Sequence, residues 1–197
     1  SYGLHAGFRY LVMELIESGS PDFGMAGCGG RLPVDRAARI GVCVVRGLKA
    51  LASVKISHRD IKPANILQRP DGSAVLADLG LAKRSGDRSL TETRNLVGTL
   101  EYVAPEVING EDESPSSDLY SLGATIYSLC AGQLPYPIQP TLPLMRAILA
   151  GSARHLWEVE PSVSREFSRF VAKLMSREPE DRPTLEEAES ALAAFAG

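Results

Sequence analysis

The chain has 197 residues, enough to bury one substantial core, and its 44% hydrophobic and 23% charged residues are ordinary for a soluble globular protein. A net charge of −3 supplies no basic field, which argues against nucleic acid or an anionic membrane surface as a partner. Three cysteines, Cys28, Cys43 and Cys130, lack metal-ligand spacing and read as reduced thiols, Cys43 and Cys130 lying in apolar runs as small core residues.

The opening "SYGLHAGFRY" has no basic region followed by an apolar one, so no signal peptide is visible. "FRYLVMELI", Phe8 to Ile16, is apolar and rich in aromatic and branched residues, which predicts a strand. The glycine-rich residues 17–33 read as a loop around a poor helix. From Val34 the period changes. Ala37, Ile40, Val44, Leu48 and Leu51 recur at spacings of three and four, which predicts an amphipathic helix ending near Ser53.

Two short strand-like pieces, "NILQ" and "AVLAD", follow on either side of "RPDGS". Proline presets the first corner of such a turn and glycine takes the left-handed position. Residues 78–106 show no sustained period, and an irregular segment of that length inside a compact domain is usually functional. Between Leu119 and Met145 there is no charged residue, but prolines from Pro135 onward confine the helical part to about "SDLYSLGATIYSLCAG". That is too short to cross a bilayer and reads as a buried central helix starting near Ser116 or Ser117. "TLPLMRAILAG" predicts a short helix, and "SREFSRFVAKLMSR" places Phe167, Phe170, Val171 and Leu174 on one helical face. The last helix opens with Thr184 and Glu187 at capping-box spacing and turns Leu185, Ala188, Leu192 and Phe195 inward. The predicted class is α+β, mostly α, with a few short strands near the beginning.

The stretch "HRDIKPAN", His58 to Asn65, carries a carboxylate, a cation and an amide at short spacing. Counting outward from the turn, Arg69 faces Ser73, Gln68 faces Ala74 and Asn65 faces Ala77, so Asn65 and Asp78 emerge together at the open end of one hairpin. Both offer hard oxygen atoms, and one or two protein oxygens plus substrate phosphates suffice for magnesium. Asp60 is placed to accept a proton and Lys62 to offer positive charge. These are the parts phosphoryl transfer uses, since its catalysis is mainly positioning and charge stabilisation. Singly, each residue reads as an exposed charged loop or a turn; the set at this spacing does not.

With these motifs the sequence resembles a protein kinase, of the eukaryotic-like serine/threonine type common in bacteria. "HRDIKPAN" resembles the catalytic loop. The resemblance implies Asp60 as the base orienting the substrate hydroxyl, Lys62 as a γ-phosphate contact and Asn65 as a metal ligand. It makes Asp78 of "DLG" the other metal ligand, Leu79 replacing the usual phenylalanine. "VGTLEYVAPE" resembles the substrate-binding end of an activation segment spanning 78–106, with Thr99 bonding near the catalytic Asp. Glu106 is then expected to pair with Arg182, Asp118 to tie the central helix to the loop backbone, and His58 to be structural. "YLVMELIESGS" resembles the strand and hinge that hold adenine, with Met13 as gatekeeper, Glu14 and Ile16 as backbone contacts and Leu67 in the floor. Arg59 before Asp60 marks kinases switched on by phosphate in that segment, and Thr91 and Thr93 are the candidate acceptors.

The resemblance implies ATP with Mg²⁺ or Mn²⁺ as cofactors, a protein substrate bearing Ser or Thr, and self-association for autophosphorylation. It implies a cytoplasmic protein, or the cytoplasmic part of a longer, membrane-anchored one. Residues 1–17 correspond to the end of the small lobe and the hinge, and 18–197 to the large C-terminal lobe. The glycine-rich loop, strand lysine and helix glutamate of a full kinase find no counterpart: "GMAGCGG" fails G-x-G-x-x-G, because Leu32 stands where glycine is needed. The expectation is a piece of a longer kinase, favoured by a first residue Ser1 rather than Met, with weak nucleotide affinity on its own. A non-catalytic kinase-like interaction module is the alternative, and a small-molecule phosphotransferase of related fold ranks third.

Overall fold

The structure is a computed structural model and describes residues 2–17, 19–20, 30–78, 100–136 and 140–197. Strands β1 (Tyr2–His5) and β2 (Phe8–Leu11) form an antiparallel hairpin in which Tyr2 faces Leu11 and His5 faces Phe8. Its two-residue turn places Ala6 and Gly7 at positive φ, the arrangement that matches strand twist in tight hairpins. The strand expected over Phe8–Ile16 therefore stops at Leu11. Tyr2, which pairs with Leu11, is the first residue of β1, so the ladder ends there.

Helix α1 (Val34–Ser53) follows the predicted stripe, burying Ala37, Ile40, Val44 and Leu48. Strands β3 (Ile66–Gln68) and β4 (Ala74–Leu76) form a second two-stranded antiparallel sheet, registered Ile66 to Leu76 and Gln68 to Ala74. The remaining helices are α2 (Pro105–Ile108), α3 (Pro115–Ala131), α4 (Thr141–Ala150), α5 (Leu156–Val159), α6 (Arg165–Leu174) and α7 (Leu185–Phe195).

Helix α3 is the axis of the molecule. Every residue in it except Pro115, Ser116 and Ser121 is buried, as a sequence with no charge beyond Asp118 allows. It begins at Pro115, one or two residues before the expected start, with Ser114 as N-cap: Ser114 and Ser117 bond each other's backbone reciprocally, and Pro115 takes the first helical position. Glycines let the neighbours close in. A Cβ on Gly123 would lie 2.8 Å from Leu174 of α6, and one on Gly41 of α1 would lie 3.0 Å from Leu192 of α7. Helix α7 opens with the predicted capping box between Thr184 and Glu187, and Phe195 meets Phe167 edge-on at 5.0 Å. Its Glu189 also bonds Arg46 and Lys49 of α1. Cys130 is buried and Cys43 half-buried, while Cys28 lies outside the described residues. None of the described helices is long and apolar enough to cross a membrane.

Candidate active site

The loop between α1 and β3 is held from below by α3. Both carboxylate oxygens of buried Asp118 accept backbone N–H bonds, from His58 at 2.8 Å and from Arg59 at 2.9 Å. Arg59 sits at φ 74°, a left-handed conformation that costs a side-chain-bearing residue about 1–2 kcal/mol, and the two bonds from Asp118 clamp the backbone there. Burial raises the Asp118 carboxyl above the ordinary aspartate range, while the Arg59 and His58 N–H groups pull the other way. The His58 ring is 1% exposed, and neither of its nitrogens has a partner among the described residues.

Beyond Arg59 the chain presents Asp60, Lys62 and Asn65 as one cluster. The Asn65 amide nitrogen donates to the Asp60 backbone oxygen and to Asp60 Oδ2, both at 2.8 Å. Lys62 Nζ lies 2.9 Å from the same Oδ2. Asp60 Oδ1 is sealed from solvent without a partner among the described residues, so one carboxylate oxygen is anchored and the other keeps a lone pair available. A short turn at Pro63–Asn65 leads directly into β3 and is itself braced, since Ser20 Oγ donates to the Pro63 oxygen at 2.9 Å.

The hairpin register matches the count made from its turn. Arg69 N–H donates to the Ser73 oxygen at 2.9 Å, and Ala77 N–H donates to the Asn65 oxygen at 2.8 Å. Asp78 follows at once, exposed and at φ 58°, a conformation that aspartate tolerates better than most residues. With its amide nitrogen committed to Asp60, Asn65 has its side-chain oxygen left over, and the chemistry available at this end of the hairpin is two hard oxygen donors from Asn65 and Asp78.

Arg182 pairs with Glu106 as expected, through NH1 to Oε1 at 2.6 Å and NH2 to Oε2 at 2.7 Å, its own side chain fully buried. The segment proposed to hold adenine lies against the hairpin turn through a pair that sequence reasoning missed: Arg69 donates to both carboxylate oxygens of Glu14 at 2.7 Å. Nothing in the spacing of those residues signals the pair. Leu67 is half-buried in β3 and Ile16 is half-buried, whereas Met13 is 70% exposed. Leu79, Gly80, Thr91, Thr93 and Thr99 lie outside the described residues.

Residues 5–192 match the family model described as protein kinase domain. The chain belongs to the protein kinase family. As a kinase-family chain it is 32% identical, over 92% of its length, to the serine/threonine-protein kinase PknH of Mycobacterium bovis. It is 34% identical over 88% of its length to PknL of Mycobacterium tuberculosis, and 34% identical over 89% to serine/threonine-protein kinase H1 of Mus musculus. The chain spans 30%, 43% and 42% of the length of these three relatives. Among solved structures, the crystal structure of Rad53 1-466 in complex with AMP-PNP superposes with a TM-score of 0.81 at 28% identity, covering all of this chain and 49% of the other.

Proposed function

We propose that this chain carries the catalytic part of a serine/threonine protein kinase that moves the γ-phosphoryl group of ATP to a protein hydroxyl. The observation that carries the reading is the Asp60 carboxylate, anchored on Oδ2 by Asn65 and Lys62 while its Oδ1 stays unpaired among the described residues. Such a group accepts a hydrogen bond from an incoming Ser or Thr hydroxyl and takes its proton as the new bond to phosphorus forms. Lys62 beside it offers a point charge to the phosphate oxygens, and the clamp from Asp118 fixes the loop so that neither group must be reoriented during reaction.

The donor set at the open end of the hairpin suits Mg²⁺, and Asn65 and Asp78 are the residues that would hold it. Bound there with ATP, the ion would neutralise phosphate charge. The adenine side of the proposal rests on residues 13–16 and Leu67, which the Glu14–Arg69 pair brings to the hairpin. In lobe terms, residues 1–17 are the end of the small lobe and the hinge, and 18–197 the large lobe. Arg59, Thr91 and Thr93 would form the phosphate-dependent switch, with two copies meeting for autophosphorylation.

The test is transfer of radiolabelled phosphate from ATP to a Ser/Thr-containing protein, measured on the protein as its gene encodes it. Asp60→Ala is expected to lower turnover by roughly 10²–10⁴, the usual worth of a positioned proton acceptor. Turnover that survives this substitution overturns the assigned base. Nucleotide and partner binding without turnover in the wild type would instead mark an interaction module.

A further inference from the structure

A recess of about 180 Å³ opens beside the C-terminal half of α3, where Tyr127 meets α6 and the connection from α4 to α5. Val171, Ala172 and Met175 form its apolar wall, and Arg154 and His155 stand on its polar side. Tyr127 is 3% exposed, yet its hydroxyl has no hydrogen-bond partner among the described residues, while the neighbouring Tyr120 and Tyr136 place their hydroxyls 3.4 Å apart. The sealed, unpaired polar atoms of the described residues are the two His58 ring nitrogens, Asp60 Oδ1 and Thr125 Oγ1. The Tyr127 hydroxyl is not one of these, so it keeps a little surface, and Tyr127 is among the residues that line the recess.

A buried hydroxyl without a protein partner is held at a cost unless something else bonds it. The cation needed to draw an anionic partner is at hand. Arg154 is exposed, bonds one N–H to the Glu158 backbone oxygen at 3.1 Å, and has no ion-pair partner among the described residues. Burial holds the Tyr127 hydroxyl protonated well past neutral pH; the Arg154 guanidinium works against that rise and the Glu158 carboxylate adds to it, so both charges lie within electrostatic reach. The recess is smaller than the 300–1,000 Å³ or so of drug-sized sites, which limits an occupant to about one ring.

We propose that this recess is a second ligand site, for a small monocarboxylate with a single-ring apolar body. The carboxylate accepts hydrogen bonds from the Tyr127 hydroxyl and the Arg154 guanidinium, and the ring lies on Val171, Ala172 and Met175. The site is separate from the phosphotransfer residues. Tyr127 stands nine residues beyond Asp118 on α3, about 13 Å along the helix axis.

Trp157 is the single tryptophan, and it stacks on His155 with ring centres 4.2 Å apart, so its fluorescence reports the polar side of the recess. Titration with benzoate is expected to give a saturable change that neutral benzamide does not. Tyr127→Phe keeps the ring and removes only the hydroxyl; it should weaken benzoate binding roughly tenfold, the worth of one hydrogen bond to a charged acceptor. Arg154→Gln, at an exposed position where folding is not at stake, should abolish binding over the same range. No saturable change in the wild type overturns the proposal, as does equal affinity in Tyr127→Phe with unchanged circular dichroism. Equally tight binding of inorganic phosphate overturns the assigned ligand class.

Discussion

Arg182 spends all five of its guanidinium N–H donors, two of them on Glu106. Besides that two-pronged pair at 2.6 and 2.7 Å, it bonds the backbone oxygens of Ser176 and Ser116 at 2.9 Å and of Arg177 at 3.1 Å. The Tyr120 ring covers it at 5.2 Å. One side chain thus joins α2, the first turn of α3 and the segment leading to α7. Arg182→Met leaves the Glu106 carboxylate buried and unpaired and should cost about 3–5 kcal/mol, seen as a lower urea midpoint. Arg182→Lys should cost nearly as much, because a point cation cannot reproduce the fork. The double variant Glu106→Leu with Arg182→Met should be more stable than either single one. If it is less stable, the pair contributes more than its own desolvation and the expectation fails.

Asp118 makes stability depend on pH in an unusual direction for a carboxylate. Burial holds its folded pKa above the ordinary aspartate value of about 3.9, so the folded chain keeps this proton to higher pH than the unfolded chain. Its contribution is therefore complete below the ordinary value, falls as pH rises towards the folded value, and is level above that. Asp118→Asn removes the titration and points an N–H₂ at one of the two backbone donors it should accept from, a loss of about 1–3 kcal/mol. The deficit of Asp118→Asn should be larger at pH 4 than at pH 7 in matched denaturation curves. A deficit that grows with pH contradicts the raised value.

The hairpin that brings Asn65 beside Asp78 was legible because Pro70, Asp71 and Gly72 leave only one turn geometry, and the register follows by counting. The capping box of Thr184 and Glu187 was legible for the same reason: its chemistry is local. Ser114 escaped because serines stand at positions 114, 116 and 117, and hydroxyl chemistry alone does not say which one caps. Strand β1 escaped because "YGLH" carries no pattern of its own and acquires one only by pairing with β2. The Asp118 clamp joins residues about 60 positions apart, and the Glu14 to Arg69 pair joins residues 55 apart. Neither distance leaves a period in the sequence. The first was reachable only through family resemblance, and the second was not reached at all.

Cys130, in the last turn of α3, has its thiol pushed up to about 12 by burial. At pH 8 the folded chain therefore exposes no reactive thiolate at this position, and Cys130 should stay unmodified by Ellman's reagent until the protein is denatured. The same shift has a stability consequence. A thiol that ionises near 8.5 in the unfolded chain and near 12 in the folded one withdraws its support as pH rises through that interval. Cys130→Ala should flatten the alkaline side of the stability profile. Rapid native labelling of Cys130, mapped by mass spectrometry, would contradict its burial.

Gly72 separates backbone strain from packing. It lies at φ +83°, and a Cβ built on it meets nothing within 4 Å, so any cost of a side chain there is conformational. Alanine should destabilise by about 1–2 kcal/mol, the ordinary cost of forcing a side-chain-bearing residue into left-handed backbone. Asparagine, which tolerates that region, should recover much of the loss. Because Asn65 is also held by two bonds to Asp60, that end of the hairpin should survive a weakened turn: Gly72→Ala is expected to lower the urea midpoint while leaving the proposed phosphotransfer turnover within a few-fold of wild type. Equal losses for alanine and asparagine would show that the turn is not held in the left-handed geometry. A large drop in turnover would show that the turn, and not the Asp60 bonds, is what keeps Asn65 next to Asp78.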